Sequence, residues 1–359
     1  MAATEGNTLL QPLEQVLCPD PSRVALRPFT PAENDGGDAF PRPRVERIAE
    51  RVLSLGQEEL AGELARIMGG LFDRHGDLER VLLGRFHDLA EPAISGRETT
   101  REQKLVIGGY FVEEYSLESA ALFNPSAVLH PDQSGIPAGS VRLVLSLRGV
   151  GEGHVSSISF RTGVFGSNGS LSLDEPTRRP ASPLIEAIPG GAPDDPGTRL
   201  QFGEDLDLSQ LVIFPVTYRQ RGGLEDLRLV RFTDEDGHAT YLGTYTAFSG
   251  ERIRQELMRT DDFRTFEMNA LQGPLSETKG MALFSRRVGG QFAMLGRHDH
   301  ENIWLLFSRE LYRWDAGEIL LRPRWPWEFI QIGNCGPPIE IDEGWLVLTH
   351  GVGTFMTYC

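Results

Sequence analysis

Cysteine is scarce in this chain. Cys18, Cys335 and Cys359 are its three cysteines, odd in number and far apart along 359 residues. Such a set suggests neither a disulfide framework nor a zinc site. Long apolar runs are also missing: nothing approaches the roughly 18 consecutive apolar residues of a membrane-crossing helix, so none is expected. Met1 to Asp20 carries acids and no extended apolar stretch, so it does not read as a secretory signal. Positive charge is in deficit. Thirty-five Lys and Arg face 51 Asp and Glu, a net charge of −16. That balance argues against a nucleic acid or an anionic membrane as partner. The cytoplasm is the default compartment. An anionic substrate would need a local cationic pocket.

The rest of the composition is that of a globular protein, 40% hydrophobic and 24% charged. The length allows two or three domains, or one longer unit such as a propeller or barrel. Residues 1–42 are rich in Pro, Gly and acids and read as an irregular arm. Helical spacing follows over 43–122. Val45, Ile48, Val52 and Leu53 form one stripe, and Leu60, Leu64, Ile67 and Met68 another. Ser54 with Gln57 reads as a capping box, Asp77 as the cap of a third helix, and Thr99 through Tyr115 to Leu122 as a fourth.

From Phe123 the pattern changes to short strand-like runs separated by Gly, Asp, Asn and Pro. The runs are Val141–Leu147, Val155–Phe160, Leu211–Val216, Leu227–Phe232, Tyr241–Phe248, Phe292–Leu295, Ile303–Phe307 and Trp345–Thr349. This predicts an all-β sandwich, barrel or propeller. The segment Leu257–Glu267 aligns with Leu305–Asp315, 48 positions on. Arg161-Thr162 recurs as Arg259-Thr260 at about twice that distance. A period of roughly 40–50 residues with several strands per unit is a propeller signature. Residues 123–359 hold just under five such units, so the last blade is incomplete unless an early strand closes it, and a fragment of a longer protein is compatible with this count.

Several segments could carry chemistry. In Gly223–Phe232, strand alternation puts Asp226 and Arg228 on one face, opposite Leu227 and Leu229. A carboxyl beside a guanidinium at a strand entrance suits work on an anion or a sugar. The competing reading is a surface ion pair worth about 0–1 kcal/mol. Asn124 precedes Pro125, in a turn where its amide could meet a sugar hydroxyl. Arg148, Glu152 and His154 crowd a glycine-rich connection between two strands. Lys279 stands directly before an apolar strand, and Arg297 opens the run Arg297-His298-Asp299-His300. That His-x-His spacing lacks a further ligand cluster, so no metal is expected. Cys335 reads as a buried thiol with no legible histidine partner. His350 follows a strand and precedes Gly351.

Taken together these segments resemble glycoside hydrolase family 130, the inverting β-mannoside phosphorylases and related β-mannosidases. The motifs are FNPS at 123–126, LRGVGEGHVSSI at 147–158, GLEDLR at 223–228, YTAFSG at 245–250, KGMALF at 279–284, GRHDHENI at 296–303, GPPI from 336 and GWLVLTHGV to 352. The resemblance implies a five-bladed β-propeller after the helical region, with its site in the central funnel. It implies Asp226 as general acid, with Asn124, Arg148, Glu152, His154, Glu225, Arg297 and His350 around the sugar. Arg228 and Lys279 would take phosphate. Leu227 and Gly280 depart from the pattern, which has Pro and Asp at those places.

The implied substrates are a β-linked manno-oligosaccharide and inorganic phosphate, with no other cofactor; a homo-oligomer is compatible. Phosphorolysis to α-mannose 1-phosphate is favoured, mainly because Lys279 persists; phosphate is its own nucleophile and asks only for a cationic clamp, which Arg148, Arg228, Lys279 and Arg297 could supply. The alternatives are a β-mannosidase using Glu152 or Glu225 as base on water, or a sugar-binding propeller without activity.

Overall fold

A computed structural model describes residues 12–32, 42–72, 74–192 and 195–359. The parts of the expected arm at 1–11 and 33–41 lie outside the described residues. The fold is mainly β, with one cluster of helices near the N-terminus.

The helices Arg44–Leu53, Gln57–Leu71, Leu78–Arg85 and Arg101–Gly109 share one apolar core. Val45, Ala49 and Val52 bury the inner stripe of the first, as its three-and-four spacing requires. The capping box differs from expectation. Gly56, not Ser54, is the N-cap of the second helix, and its N–H donates to Glu59 Oε2 at 3.0 Å. Ser54 instead ends the first helix, its hydroxyl donating to the Arg51 carbonyl at 2.7 Å. Asp77 does precede the third helix, but its carboxylate takes Arg80 rather than a backbone N–H.

The fourth helix is shorter than expected and stops at Gly109. Thr100 and Gln103 open it with a reciprocal cap. Gly108 lies so close to the third helix that a Cβ there would meet the Leu82 carbonyl at 2.0 Å. After the glycine pair, Val112–Ser116 is a strand paired antiparallel with Val24–Pro28. Part of the expected irregular arm is therefore ordered. A buried ion cluster ties it down: Glu118 accepts from Arg23 and, at 2.9 Å, from Arg161 of the main sheet. All three side chains are buried.

Antiparallel meanders follow. The first runs through Ala121–Leu129, Val141–Val150, Ser156–Phe165 and Leu171–Leu173. The second runs through Gly223–Thr233, Ala239–Phe248, Ile253–Thr260 and Thr265–Ala270. A parallel bridge from Gly223 to Ser156 joins the two, and the hairpin Leu184–Ala192 with Asp195–Gln201 pairs with the far strand of the second. The third comprises Ala282–Leu283, Phe292–Gly296, Ile303–Ser308 and Gly317–Leu321. Last come two short pairs, Gln331–Asn334 with Thr349–Val352 and Ile339–Ile341 with Gly344–Leu346.

The cores lie between successive meanders. Phe160, Phe263 and Phe266 fill the space between the first and second, with Phe160 stacked on Phe266 at 5.7 Å. Trp314, Leu257 and Met294 fill that between the second and third. Each such side chain contributes about 1.5–3 kcal/mol by leaving water. Two expected strands change. Trp345–Thr349 is broken between Leu346 and Thr349, opposite the rigid Gly336-Pro337-Pro338. Leu211–Val216 shrinks to Val212–Ile213 before Pro215.

Candidate active site

One cavity of about 650 Å³ opens where the first, second and last strand groups meet. The strand Gly223–Thr233 forms its floor. Leu227 and Leu229 enter the core between meanders, as alternation predicts. Asp226 breaks the alternation: it has a left-handed φ of 55°, and the pairing with Ala239–Phe248 shifts between Glu225 and Arg228. This bulge re-aims one side chain. Glu225, Asp226 and Arg228 all line the cavity as a result.

The neighbouring strand Ala121–Leu129 carries a matching irregularity. Its register shifts between Phe123 and Ser126, and Asn124 has φ 52°. Asn124 Nδ2 donates to Asp226 Oδ1 at 2.6 Å. Ser126 locks the two strands together, its hydroxyl accepting from the Leu229 N–H at 2.9 Å. Arg148 reaches the same place from the next strand. Its Nη1 donates to Asp226 Oδ1 at 3.2 Å, its Nη2 to Glu225 Oε1 at 3.0 Å and its Nε to Ser156 Oγ at 2.9 Å. Asp226 Oδ1 is thus held twice, while no protein donor among the described residues takes Oδ2.

Glu225 is held from both sides. Lys279 Nζ donates to its second oxygen at 2.7 Å, and the glutamate side chain is only 13% exposed. Three charges therefore form a closed chain, Arg148–Glu225–Lys279, in which the acid is fully paired.

A different set of cations, Arg228 and Arg297, makes no ion pair with a carboxylate among the described residues. Arg228 Nη1 donates to the Gly280 carbonyl at 2.9 Å and makes no ion pair among the described residues. Burial pushes its guanidinium down to about 10, against the pull of Asp226 and with the push of Arg297. Arg297 is likewise lowered by burial, and its Nε is buried without a partner. Burial also lowers the His350 imidazole, and the two arginines lower it further. Gly333 makes this grouping possible: a Cβ there would lie 2.6 Å from His350 Cε1 and 3.3 Å from Arg297 Nη1.

The structure therefore brings Asn124, Arg148, Glu225, Asp226, Arg228, Lys279, Arg297 and His350 to one cavity. Glu152 and His154 stay outside it. They occupy an exposed turn beyond the end of the strand that carries Arg148, where Gly153 and His154 adopt left-handed backbones. Cys335 corrects another expectation. Its side chain is exposed, lines the cavity, and lies 3.9 Å from His350 Nδ1. A pair so distant in sequence meets only because Gln331–Asn334 and Thr349–Val352 are hydrogen-bonded neighbours. Partial desolvation at the cavity wall raises the thiol, which argues against a ready nucleophile.

Gln331 and Tyr358 also line the cavity and carried no signal in the sequence. Tyr358 stacks on His350 with ring centroids 6.0 Å apart. His298 packs edge-on against Trp304, and His300 lies in an exposed turn. Among the described residues no three His, Cys, Asp or Glu side chains gather as a metal site, and no helix is long and apolar enough to cross a membrane.

Residues 204–358 match the model of glycoside hydrolase family 130, described as beta-1,4-mannooligosaccharide phosphorylase. Over that segment, which is less than half of the chain, the sequence is similar to this family. A 1,2-beta-oligomannan phosphorylase of Thermoanaerobacter sp. (strain X514) is 31% identical over 155 residues, 40% of this chain and 48% of that protein. A beta-1,2-mannobiose phosphorylase of Listeria innocua serovar 6a is 29% identical over 148 residues, 39% of each. The chain thus spans less than half the length of these relatives. The solved beta-1,2-mannobiose phosphorylase from Listeria innocua overlays with a TM-score of 0.43 at 18% identity, over 68% of this chain and 71% of that one. Asn124 and Arg148 lie outside the matched segment, yet both bind Asp226.

Proposed function

We propose that this protein cleaves β-linked manno-oligosaccharides by phosphorolysis with inversion, releasing α-mannose 1-phosphate. One observation carries the reading: a carboxyl group on a strand bulge shares a cavity with two arginines that make no ion pair among the described residues. Asp226 is the general acid. Asn124 and Arg148 fix its Oδ1, which leaves Oδ2 to deliver a proton to the leaving oxygen. Arg228 and Arg297 hold the phosphate dianion by charge-assisted bonds in a half-buried site, where each bond is worth more than in water. Phosphate then attacks the anomeric carbon from the face opposite the leaving group, and the configuration inverts. Lys279 contributes less to phosphate than the family resemblance implies, because its ammonium already serves Glu225. Asn124 and Arg148 remain the best candidates for contacts to the sugar being transferred, with His350 at the rim.

The hydrolytic alternative needs a carboxylate free to activate water. Glu225 is paired on both oxygens, and Glu152 is outside the cavity. Neither supports that reading. We further take the successive meanders as blades of a five-bladed propeller over 123–359, with the cavity in its funnel, behind an N-terminal region whose helices lie within 44–109. The acidic surface fits a cytoplasmic enzyme without nucleic-acid or membrane partners.

The deciding experiment incubates β-1,2- and β-1,4-mannobiose with the protein, with and without inorganic phosphate. Sugar phosphate formed only with phosphate is the expected result. Free mannose released equally in both tubes overturns it.

A further inference from the structure

The cations of the cavity lean on one irregular connection. Residues 271–281 join the second meander to the third and contain no helix or strand. Lys279 reaches from this connection to Glu225, and the Gly280 carbonyl accepts from Arg228 Nη1 at 2.9 Å. Thr278 donates its hydroxyl to the Arg297 carbonyl at 2.6 Å. Three successive residues therefore help to place Arg297, Lys279 and Arg228, all of which line the cavity. Irregular backbone has no ladder to hold it, so its position depends on other bonds.

Gln255 supplies them. It lies in the strand Ile253–Thr260, is 1% exposed and does not line the cavity. Its Nε2 donates to the Thr278 carbonyl at 3.0 Å and to Thr246 Oγ1 at 2.6 Å, so both amide hydrogens are used. Its N–H donates to the Ser276 carbonyl at 2.8 Å, and its carbonyl accepts from the Leu271 N–H at 3.0 Å. One residue thus grips the connection at 271, 276 and 278 and ties it to Thr246 on the cavity wall. The far end is pinned by Thr244, whose hydroxyl donates to the Met281 carbonyl. A buried amide costs stability unless its hydrogens are taken. Here they are spent on the turn that carries the cations.

We propose that Gln255 is a positioning residue for the phosphate site. It touches neither phosphate nor sugar. It fixes the turn Thr278-Lys279-Gly280, and through that turn it holds the Arg228 guanidinium and the Arg297 backbone where both arginines meet one anion. A clamp of charge-assisted bonds is sensitive to small displacements, because each bond needs its own geometry. The inference rests on the phosphorolysis reading of the cavity.

The test uses three variants. Gln255→Met keeps the volume and removes both side-chain donors. Thr278→Val removes the hydroxyl bond to Arg297 without touching the core amide. Gln220→Met is the control: Gln220 is also a buried amide, bonded to Tyr245 and Glu256 and not to the connection. The first two should raise KM for phosphate by about three- to tenfold, the range of one lost hydrogen bond, with KM for mannobiose and kcat at saturating phosphate little changed. The control should lower the melting temperature and leave KM for phosphate at the wild-type value. Where Gln255→Met does not fold, Thr278→Val decides alone.

An unchanged KM for phosphate overturns the proposal. So does an equal rise in the Gln220 variant, or a uniform loss of kcat/KM for both substrates, since either marks an amide that only stabilises the sheet. If the wild type makes no sugar phosphate, the function reading fails by itself. Calorimetry with inorganic phosphate then still decides the positioning. Binding that weakens in the first two variants but not in the control supports it; equal binding by all, or binding by none, overturns it.

Discussion

Asn124 and Asp226 both hold left-handed backbones, φ 52° and 55°, on bulges of two strands that lie side by side, and Asn124 Nδ2 meets Asp226 Oδ1 at 2.6 Å. Either irregularity alone would aim one side chain into the cavity. Together they set a donor against an acid with little freedom for either. Asn is among the few residues that adopt this backbone readily, which suits it to the role.

Asp226→Asn should lower kcat on mannobiose by about 10²–10⁴-fold, the usual share of a general acid, while the melting temperature stays near that of wild type. Asn124→Gly keeps the backbone and removes the contact, so it should lower kcat less and leave KM for phosphate unchanged. Near-normal turnover by the Asp226 variant, measured on a substrate with a poor leaving group, removes Asp226 from the role.

Glu225→Gln separates the two enzymatic readings. As a paired structural acid, its loss frees Arg148 and Lys279 and makes the cavity more positive. KM for phosphate should then fall, with phosphorolysis impaired but measurable. A wild type that releases mannose without phosphate, and loses that release in the Glu225 variant, would instead identify Glu225 as a base acting on water.

His350 should stay neutral at neutral pH, because burial and the two arginines lower its imidazole below the ordinary value near 6.5. Protonation then favours the unfolded chain first. This histidine therefore costs no stability above pH ~6.5 and takes stability away as pH falls from there toward its folded value. Melting curves from pH 7.5 to 5.5 should show a steeper loss for wild type than for His350→Gln. Parallel curves would contradict the assignment.

Glu118→Gln should destabilise strongly. It leaves Arg23 and Arg161 buried without a compensating charge, and breaking one member of such a cluster costs about 3–5 kcal/mol. Burial and Arg161 already push Arg23 down to about 10. Urea titration should show the midpoint falling, whereas Glu113→Gln, on the half-exposed Arg27–Glu113 pair, should change it less.

The β character after Phe123 was legible because the strand runs are short, apolar and bounded by turn residues. Strands such as Ile253–Thr260 were missed because their buried positions include Gln255 and Glu256, which look solvent-facing until their partners are known. Glu256 is satisfied by Tyr245 and Gln220, at 2.5 and 2.6 Å. The glycine pair at 108–109 could have warned that the fourth helix would stop there.

Residue type and local order flagged Asp226, Arg228, Lys279 and His350 as candidates, because a carboxyl, a guanidinium or an imidazole beside a buried strand is itself a signal, and their roles came only from the family resemblance. Pairing was beyond the sequence. Alternation puts Glu225 on the side of the leucines, and only the bulge brings it round to meet Lys279. Cys335 and His350 approach because two short strands are neighbours. Which cations are neutralised and which stay open to an anion depends on ångström-scale distances between segments up to 100 or so residues apart. Chain chemistry names the groups; only the register, bulges and crossing of strands decide which charges cancel.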